Sequence, residues 1–471
     1  MDLRFRPSAM DAAGLAPRAI DGLLALVAAA YLIAAWVGLP LYADGGHYLF
    51  RIIVDGLPYV SDGRLAAVIP QLPAWLLLRF GASLDALRLA FSLGYLLLPV
   101  LSLLACWLIV RSRAPGLMVL PASGALLNQI NASAVSELLA ILYLIWPLVL
   151  ALSLYGEKRA VRWLPWLAPP LILTLHPVAL LACLMLAVVV ELTIRDRWLS
   201  AWLAACALPR LLWSLRGLSG YEQSHLAGDG ALWYLLTQTP GQHLMLFGVV
   251  VVGLGIALAW LKGPLPVFSF APTAVAGVLI VAAILLGHEL IWGQGWRLKS
   301  GITFPAQLLL MLIAALHSPA RARRPASHPQ ALLSHWTPVL RIALMAIAAL
   351  MLVKSAAWWT ATRGLQNVVS EPGAPCIQHG RQSPFALQWP WMAMIDEWNA
   401  PMNALLFRPD FRQRGSDTLA PIAILLPRDG CERVASTGMA YMTPWLPVSW
   451  RILDERFGPL RPLSSAQPAT P

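Results

Sequence analysis

Charge is what this sequence has least of. Asp, Glu, Lys and Arg make up 12% of its 471 residues, where a soluble globular chain carries about a quarter. Hydrophobic residues fill 58% of it and the mean hydropathy is +0.66, which excludes a soluble globular protein and leaves a polytopic membrane chain. Walker, GxGxxG and paired-cysteine motifs are missing in any supporting context, as is a GxSxG elbow. No Lys/Arg-rich run with interleaved aromatics offers a nucleic-acid face, so the net charge of +11 speaks to membrane orientation. Cysteine is sparse too. Cys106, Cys183 and Cys206 lie in apolar stretches, where a thiol behaves as a small hydrophobe. Cys376 and Cys431 share a more polar tail and are expected to pair there if the compartment is oxidising, although sequence fixes no distance between them.

Apolar runs abound. Spans are expected near 20–40, 86–110, 115–127, 132–155, 163–175, 176–194, 198–215, 243–261, 266–287, 302–317 and 338–359. Some fall short of the roughly 20 residues a straight crossing needs, and Pro121 and Pro169–Pro170 predict broken or tilted helices. The run 66–79 (LAAVIPQLPAWLLL) has two prolines inside it and is expected to lie along the surface. With the N-terminus inside, Arg4, Arg6, Arg18, Arg111, Arg113, Lys158, Arg159, Arg162, Arg195, Arg197, Lys262, Arg321, Arg323, Arg324 and Arg341 are cytoplasmic. Only Arg51, Arg64, Arg79, Arg88, Arg216, Arg297 and Lys299 fall in short external loops, which fits the positive-inside rule. The first span lacks a small residue at the first position of Leu41–Tyr42–Ala43 and is read as an uncleaved anchor.

The expected architecture is an all-α polytopic membrane protein with about eleven transmembrane helices and a small external α/β segment at the C-terminus. Residues 1–360 form the membrane module, with 41–85 as its first external loop, and 361–471 form the external segment.

The loop after the first span holds Asp44 and His47 within a turn of the lipid boundary. Ionisable groups there are costly to desolvate, so they read either as functional or, for Asp44, as a helix cap. Asp44, then His47–Tyr48–Leu49, Gly56–Leu57–Pro58–Tyr59, Pro70–Gln71–Leu72–Pro73 and Ser83–Leu84–Asp85–Ala86–Leu87–Arg88 follow one another before the second span. This layout, best over residues 20–195, resembles the first external loop of the GT-C membrane glycosyltransferases, of the protein O-mannosyltransferase and aminoarabinose-transferase type. The family's usual paired acid is absent, because Gly45 follows Asp44.

The resemblance implies an inverting glycosyltransferase of the plasma (inner) membrane, its C-terminal segment periplasmic, moving a sugar from a polyprenyl-phosphate donor to a lipid, glycan or protein acceptor. Membrane lipids are its surroundings. It implies Asp44 as general base, with Glu137 matching an acid that relatives carry near the outer start of the fourth span. Glu137 also reads as a carboxyl snorkelling to the interface or helping the helix N-terminus. His176 stands near the position of the lysine in the relatives' Thr-Lys motif, though Leu175 separates it from Thr174. It reads equally as a buried imidazole bonded to backbone. Arg64 is a further candidate for the donor phosphate.

At the outer end of the ninth expected span, His288 and Glu289 precede Arg297 and Lys299. A zinc-protease reading fails because Trp292 occupies the place of the second histidine. The two cations suit either a lipid-linked phosphate or a lipid headgroup. The Gly-rich loop 216–242 is read as a mobile cover or a solvated loop. Direct transfer from a lipid monophosphate needs no metal, and no cofactor is expected. The other classes left open are a transporter or flippase of a lipid-linked or small anionic substrate, and a non-catalytic assembly partner. A cysteine introduced as Ser464→Cys should react with a membrane-impermeant thiol reagent from outside, and Ser327→Cys only after permeabilisation. The reverse pattern would invert the arrangement and the site with it.

Overall fold

The computed structural model describes residues 9–60, 63–129, 135–176, 178–216, 303–316, 337–379, 399–408, 421–427, 430–443 and 445–463. These are mostly helical. Among the described residues, four helices are long and apolar enough to cross a membrane: Arg18–Trp36 within α1 (Ala9–Trp36), α4 (Leu84–Val110), α6 (Glu137–Tyr155) and α11 (Thr337–Ser370). The chain is a helical membrane protein. Between them lie α2 (Asp44–Asp55), α3 (Leu72–Arg79), α5 (Val119–Asn128), α7 (Arg159–Leu173), α8 (Ala179–Thr193), α9 (Arg197–Arg216) and α10 (Phe304–Leu316). Of the shorter expected spans, α5, α7, α8 and α10 are 10, 15, 15 and 13 residues long. The expected spans 243–261 and 266–287 lie outside the described residues.

Proline leaves two different marks. Around Pro121 the helix is shortened, a 3-10 turn over Pro115–Met118 preceding α5. By contrast α7 runs unbroken through Pro165, Pro169 and Pro170, so the break expected at that pair is not present. The Thr174 hydroxyl takes up the Pro170 carbonyl at 2.6 Å where the helix ends.

Local sequence sets the helix ends that face Asp44. Ser83 caps α4 by accepting from the Ala86 amide at 3.2 Å, and Ser136 caps α6 by accepting from Leu139 at 3.4 Å. The run expected on the surface forms a 3-10 segment, Leu65–Gln71, followed by α3. It leaves Leu65, Ile69, Leu76 and Phe80 exposed and rests on α4. That contact is close enough that a Cβ on Gly94 would lie 2.0 Å from the Pro70 carbonyl oxygen.

The helix α11 is 34 residues, about 51 Å at 1.5 Å per residue, against a hydrocarbon core of about 30 Å. It runs past residue 360 to Ser370, and its upper turns carry the C-terminal segment. There β1 (Cys376–His379) pairs in parallel with β2 (Ile424–Pro427), and β3 (Met439–Thr443) pairs antiparallel with β4 (Leu446–Ser449). Helices α12 (Ala400–Leu406), α13 (Gly430–Thr437) and α14 (Trp450–Phe457) complete it. Cys376 and Cys431 are disulfide-bonded, their Cα atoms 5.7 Å apart, which ties β1 to α13.

This segment does not stand apart. One buried apolar cluster runs from Ile20 in α1 to Leu460. Phe457 of α14 stacks on Phe50 of α2 at 5.4 Å, and Trp358 of α11 meets both Tyr42 and Phe407 edge-on. Asn399 donates to the carbonyls of Leu41 and Ala43 at 3.2 and 2.6 Å. Arg408, 1% exposed, donates to the carbonyls of Phe457 and Pro459.

A Cβ on Gly46 would lie 2.6 Å from Asn399 Nδ2, Asn403 Oδ1 and the Leu41 carbonyl. Overpacking of this kind costs roughly 1–3 kcal/mol. Gly46→Ala should therefore lower the melting temperature in detergent and expose the C-terminal segment to protease. Gly22→Ala, with nothing within 4 Å of its Cβ, should be neutral or mildly stabilising. Equal melting of the two variants would refute the packing argument.

Candidate active site

Asp44 opens α2 after a sharp reversal of the chain. Ala43 takes φ 53, and a Cβ at Gly45 would sit 1.7 Å from the Pro40 carbonyl oxygen. Position 45 has no room for a side chain in this turn. A second acid that acts on Tyr48 belongs to α6. Glu137, in the first turn of that helix and 5% exposed, accepts from the Tyr48 hydroxyl at 2.7 Å through Oε1. Its Oε2 accepts from Arg64 at 3.4 Å. Half-buried Asp44 lies in electrostatic range of Tyr48, as do Glu137 and Arg64. Burial first, then the charges of Glu137 and Asp44, raise the Tyr48 phenol well above its ordinary range. It remains a proton donor to Glu137 at any physiological pH.

The aromatic and amide residues around the acids fix the loop. Tyr95 on α4 lies within range of both carboxylates and of Gln71. Gln71, fully buried, donates to the carbonyls of Tyr59 and Ala67 at 2.9 Å and accepts from the Tyr59 amide at 2.9 Å. Trp75 adds a bond to the Gly56 carbonyl at 3.1 Å. Tyr59 in turn lies edge-on to His47 with centroids 5.0 Å apart, and Arg51 stands 5.2 Å over the Tyr59 ring. Tyr48, Tyr59, Gln71 and Tyr95 were not singled out as site residues from sequence. The signal was present for Tyr48 and Tyr59, which sit in the aromatic and Gly-x-x-Tyr elements of the loop. A lone glutamine between prolines carries none.

The expected site residues divide by position. Asp44, Glu137, Arg64 and His47 come together at one end of the bundle. His176, between α7 and α8, is at that same end, because the Thr174 carbonyl accepts from the Ala66 amide at 3.3 Å, two residues from Arg64. Its Nδ1 accepts from the Val178 amide at 3.2 Å, so the neutral ring carries its proton on Nε2. His288, Glu289, Arg297 and Lys299 lie outside the described residues, as does the loop 217–242. Among the described residues no three His, Cys, Asp or Glu side chains gather as metal ligands.

His47 is 8% exposed, and burial, reinforced by the charge of Arg51, lowers its pKa from 6.5 to about 4. Near neutral pH the ring is uncharged, so it contributes shape and ring contacts and no cation. The unfolded chain binds this proton near pH 6.5 while the fold resists it until about 4. The associated stability is complete above pH 6.5 and is lost as pH falls through that window, by on the order of 3 kcal/mol. Thermal melts between pH 7 and 4 should show this loss, and His47→Gln should flatten it; an unaltered slope in the variant would exclude His47 as the cause.

No family model, no curated protein and no solved structure matches this chain, which leaves the side chains themselves as the guide to its chemistry.

Proposed function

We propose that the chain is an integral membrane glycosyltransferase that moves a sugar from a polyprenyl-phosphate donor to a lipid, glycan or protein acceptor at the external membrane face. The observation that carries the reading is that two acids from different elements, Asp44 from α2 and Glu137 from α6, both lie in electrostatic range of Tyr48 and Tyr95. Tyr48 and Arg64 hold the second acid.

The transfer needs a base to take the acceptor's hydroxyl proton and cations to hold the departing phosphate. The acceptor oxygen attacks the anomeric carbon, the bond from that carbon to the phosphate oxygen breaks, and the proton passes to a carboxylate. Asp44 is the base in this scheme because it is half-buried in the opening turn of α2, more open to an acceptor than Glu137, which is 5% exposed. Glu137 then acts on Arg64 and Tyr48, keeping one guanidinium and one phenol in fixed places beside the base. Arg64 and the Nε2–H of His176 are candidates for the phosphate oxygens. Arg297 and Lys299 keep the same role from their charge and place in the sequence.

The test is transfer from a lipid extract by purified protein, read by mass spectrometry. Asp44→Asn should fold, bind donor and lose roughly 10²–10⁴-fold in rate. Glu137→Gln should lose less in turnover and more in donor binding, since its effect runs through Arg64. An active Asp44→Asn beside a dead Glu137→Gln would move the base to α6. If neither substitution alters transfer, the glycosyltransferase reading fails.

A further inference from the structure

At the end of the bundle away from Asp44, two tight turns stand side by side. One joins α6 to α7 and the other α8 to α9; a Cβ on Gly156 in the first would lie 2.3 Å from Ile194 Cγ2 in the second. Lys158, Arg159 and Arg162 from the first and Arg195 and Arg197 from the second are exposed. The acids in these turns are already engaged. Glu157 accepts from Arg113 at 3.1 Å, and Asp196 Oδ1 accepts from the Leu199 amide at 3.1 Å, as a helix cap does. A backbone hydrogen bond, and then Arg113, keeps Glu157 below the usual carboxylate range. Exposed Glu191, a turn earlier on α8, is the other acid nearby.

From these cations an aromatic ladder runs along the helices. Trp163 on α7 is one turn beyond Arg159, and Trp166 lies about 10 Å from Arg159 along the axis. Trp163 and Trp166 have centroids 6.5 Å apart, and Trp166 stacks on Trp202 of α9 at 5.6 Å. Leu167 and Leu208, at 73% and 54%, are exposed on the same two helices.

We infer that these two turns form a binding site for an anionic phospholipid. Guanidinium groups match phosphate oxygens in paired hydrogen bonds, and basic pockets at helix ends suit anionic headgroups. Cations alone would suit any anion. The tryptophans and leucines that continue from them suit an acyl chain, and this argues for a lipid over a soluble anion.

Native mass spectrometry of the full chain in neutral detergent, titrated with dioleoyl phosphatidylglycerol and dioleoyl phosphatidylcholine, tests this. Phosphatidylglycerol should bind in preference. The triple variant Arg159→Ala, Arg195→Ala, Arg197→Ala should lose on the order of a hundred-fold in its affinity, about five-fold per cation. Trp166→Ala with Trp202→Ala should weaken both lipids. Arg433→Ala, Arg451→Ala and Arg456→Ala, exposed in the C-terminal segment, should change nothing. If the first triple does not fold, as judged by its melt, Arg159→Gln and Arg197→Gln alone carry the comparison. Equal binding of the two lipids, equal loss in both triples, or displacement of the lipid by glycerol phosphate at comparable concentration would overturn the site.

Discussion

The turn from Pro40 to Gly46 is the constraint on which the Asp44 end of the bundle depends. A backbone that reverses within so few residues must bring carbonyls against neighbouring chain, and here the Pro40 oxygen fills the space a side chain at 45 would need. Asn399 takes up the carbonyl of Leu41 and adds a second partner to that of Ala43, which already accepts from the Gly46 amide at 3.1 Å. Buried carbonyls need such partners, since each lost hydrogen bond costs about 1–3 kcal/mol. A residue more than 350 positions away in sequence thus completes the turn that presents Asp44.

The same turn governs the electrostatics. A buried carboxylate and guanidinium are expensive to remove from water, and Tyr48 supplies a further hydrogen bond to Glu137 beside its pair with Arg64. Tyr48 is one turn along α2 from Asp44, so the helix that begins at the reversal also carries the group that steadies the other acid. The Tyr48–Glu137 hydrogen bond thus links the helix that Asp44 opens to the first turn of α6.

Much of the frame was legible in the sequence because hydrophobic period and capping chemistry are local. Ser83 and Asp85 open α4, the prolines at 70 and 73 keep 65–79 from forming a long span, and the apolar run before Pro427 becomes the buried strand β2. The boundary placed at 360 followed the loss of hydropathy at Thr360 and Arg363. Yet Trp358, Ala361, Leu365 and Val369 remain buried on one face, and the helix continues to Ser370 as an amphipathic one. Of the site, Asp44 and Glu137 were readable as ionisable residues at span ends. The bond that brings Glu137 to Tyr48 was not, because the two residues are 89 positions apart and nothing local encodes a tertiary contact between them.

The shared core between α2 and the C-terminal segment has a consequence for the order of assembly. During synthesis α1, α2 and α4 emerge early, but Phe50 has no Phe457 to stack on, and Leu41 and Ala43 have no Asn399, until almost the whole chain exists. Contacts of such long sequence separation form late because the loop entropy they close must be overcome first. The membrane helices can therefore insert and pack while the acid-bearing turn is still unformed. The turn matures last, and a chain cut short before residue 399 would carry Asp44 on a reversal that lacks its Asn399 hydrogen bonds.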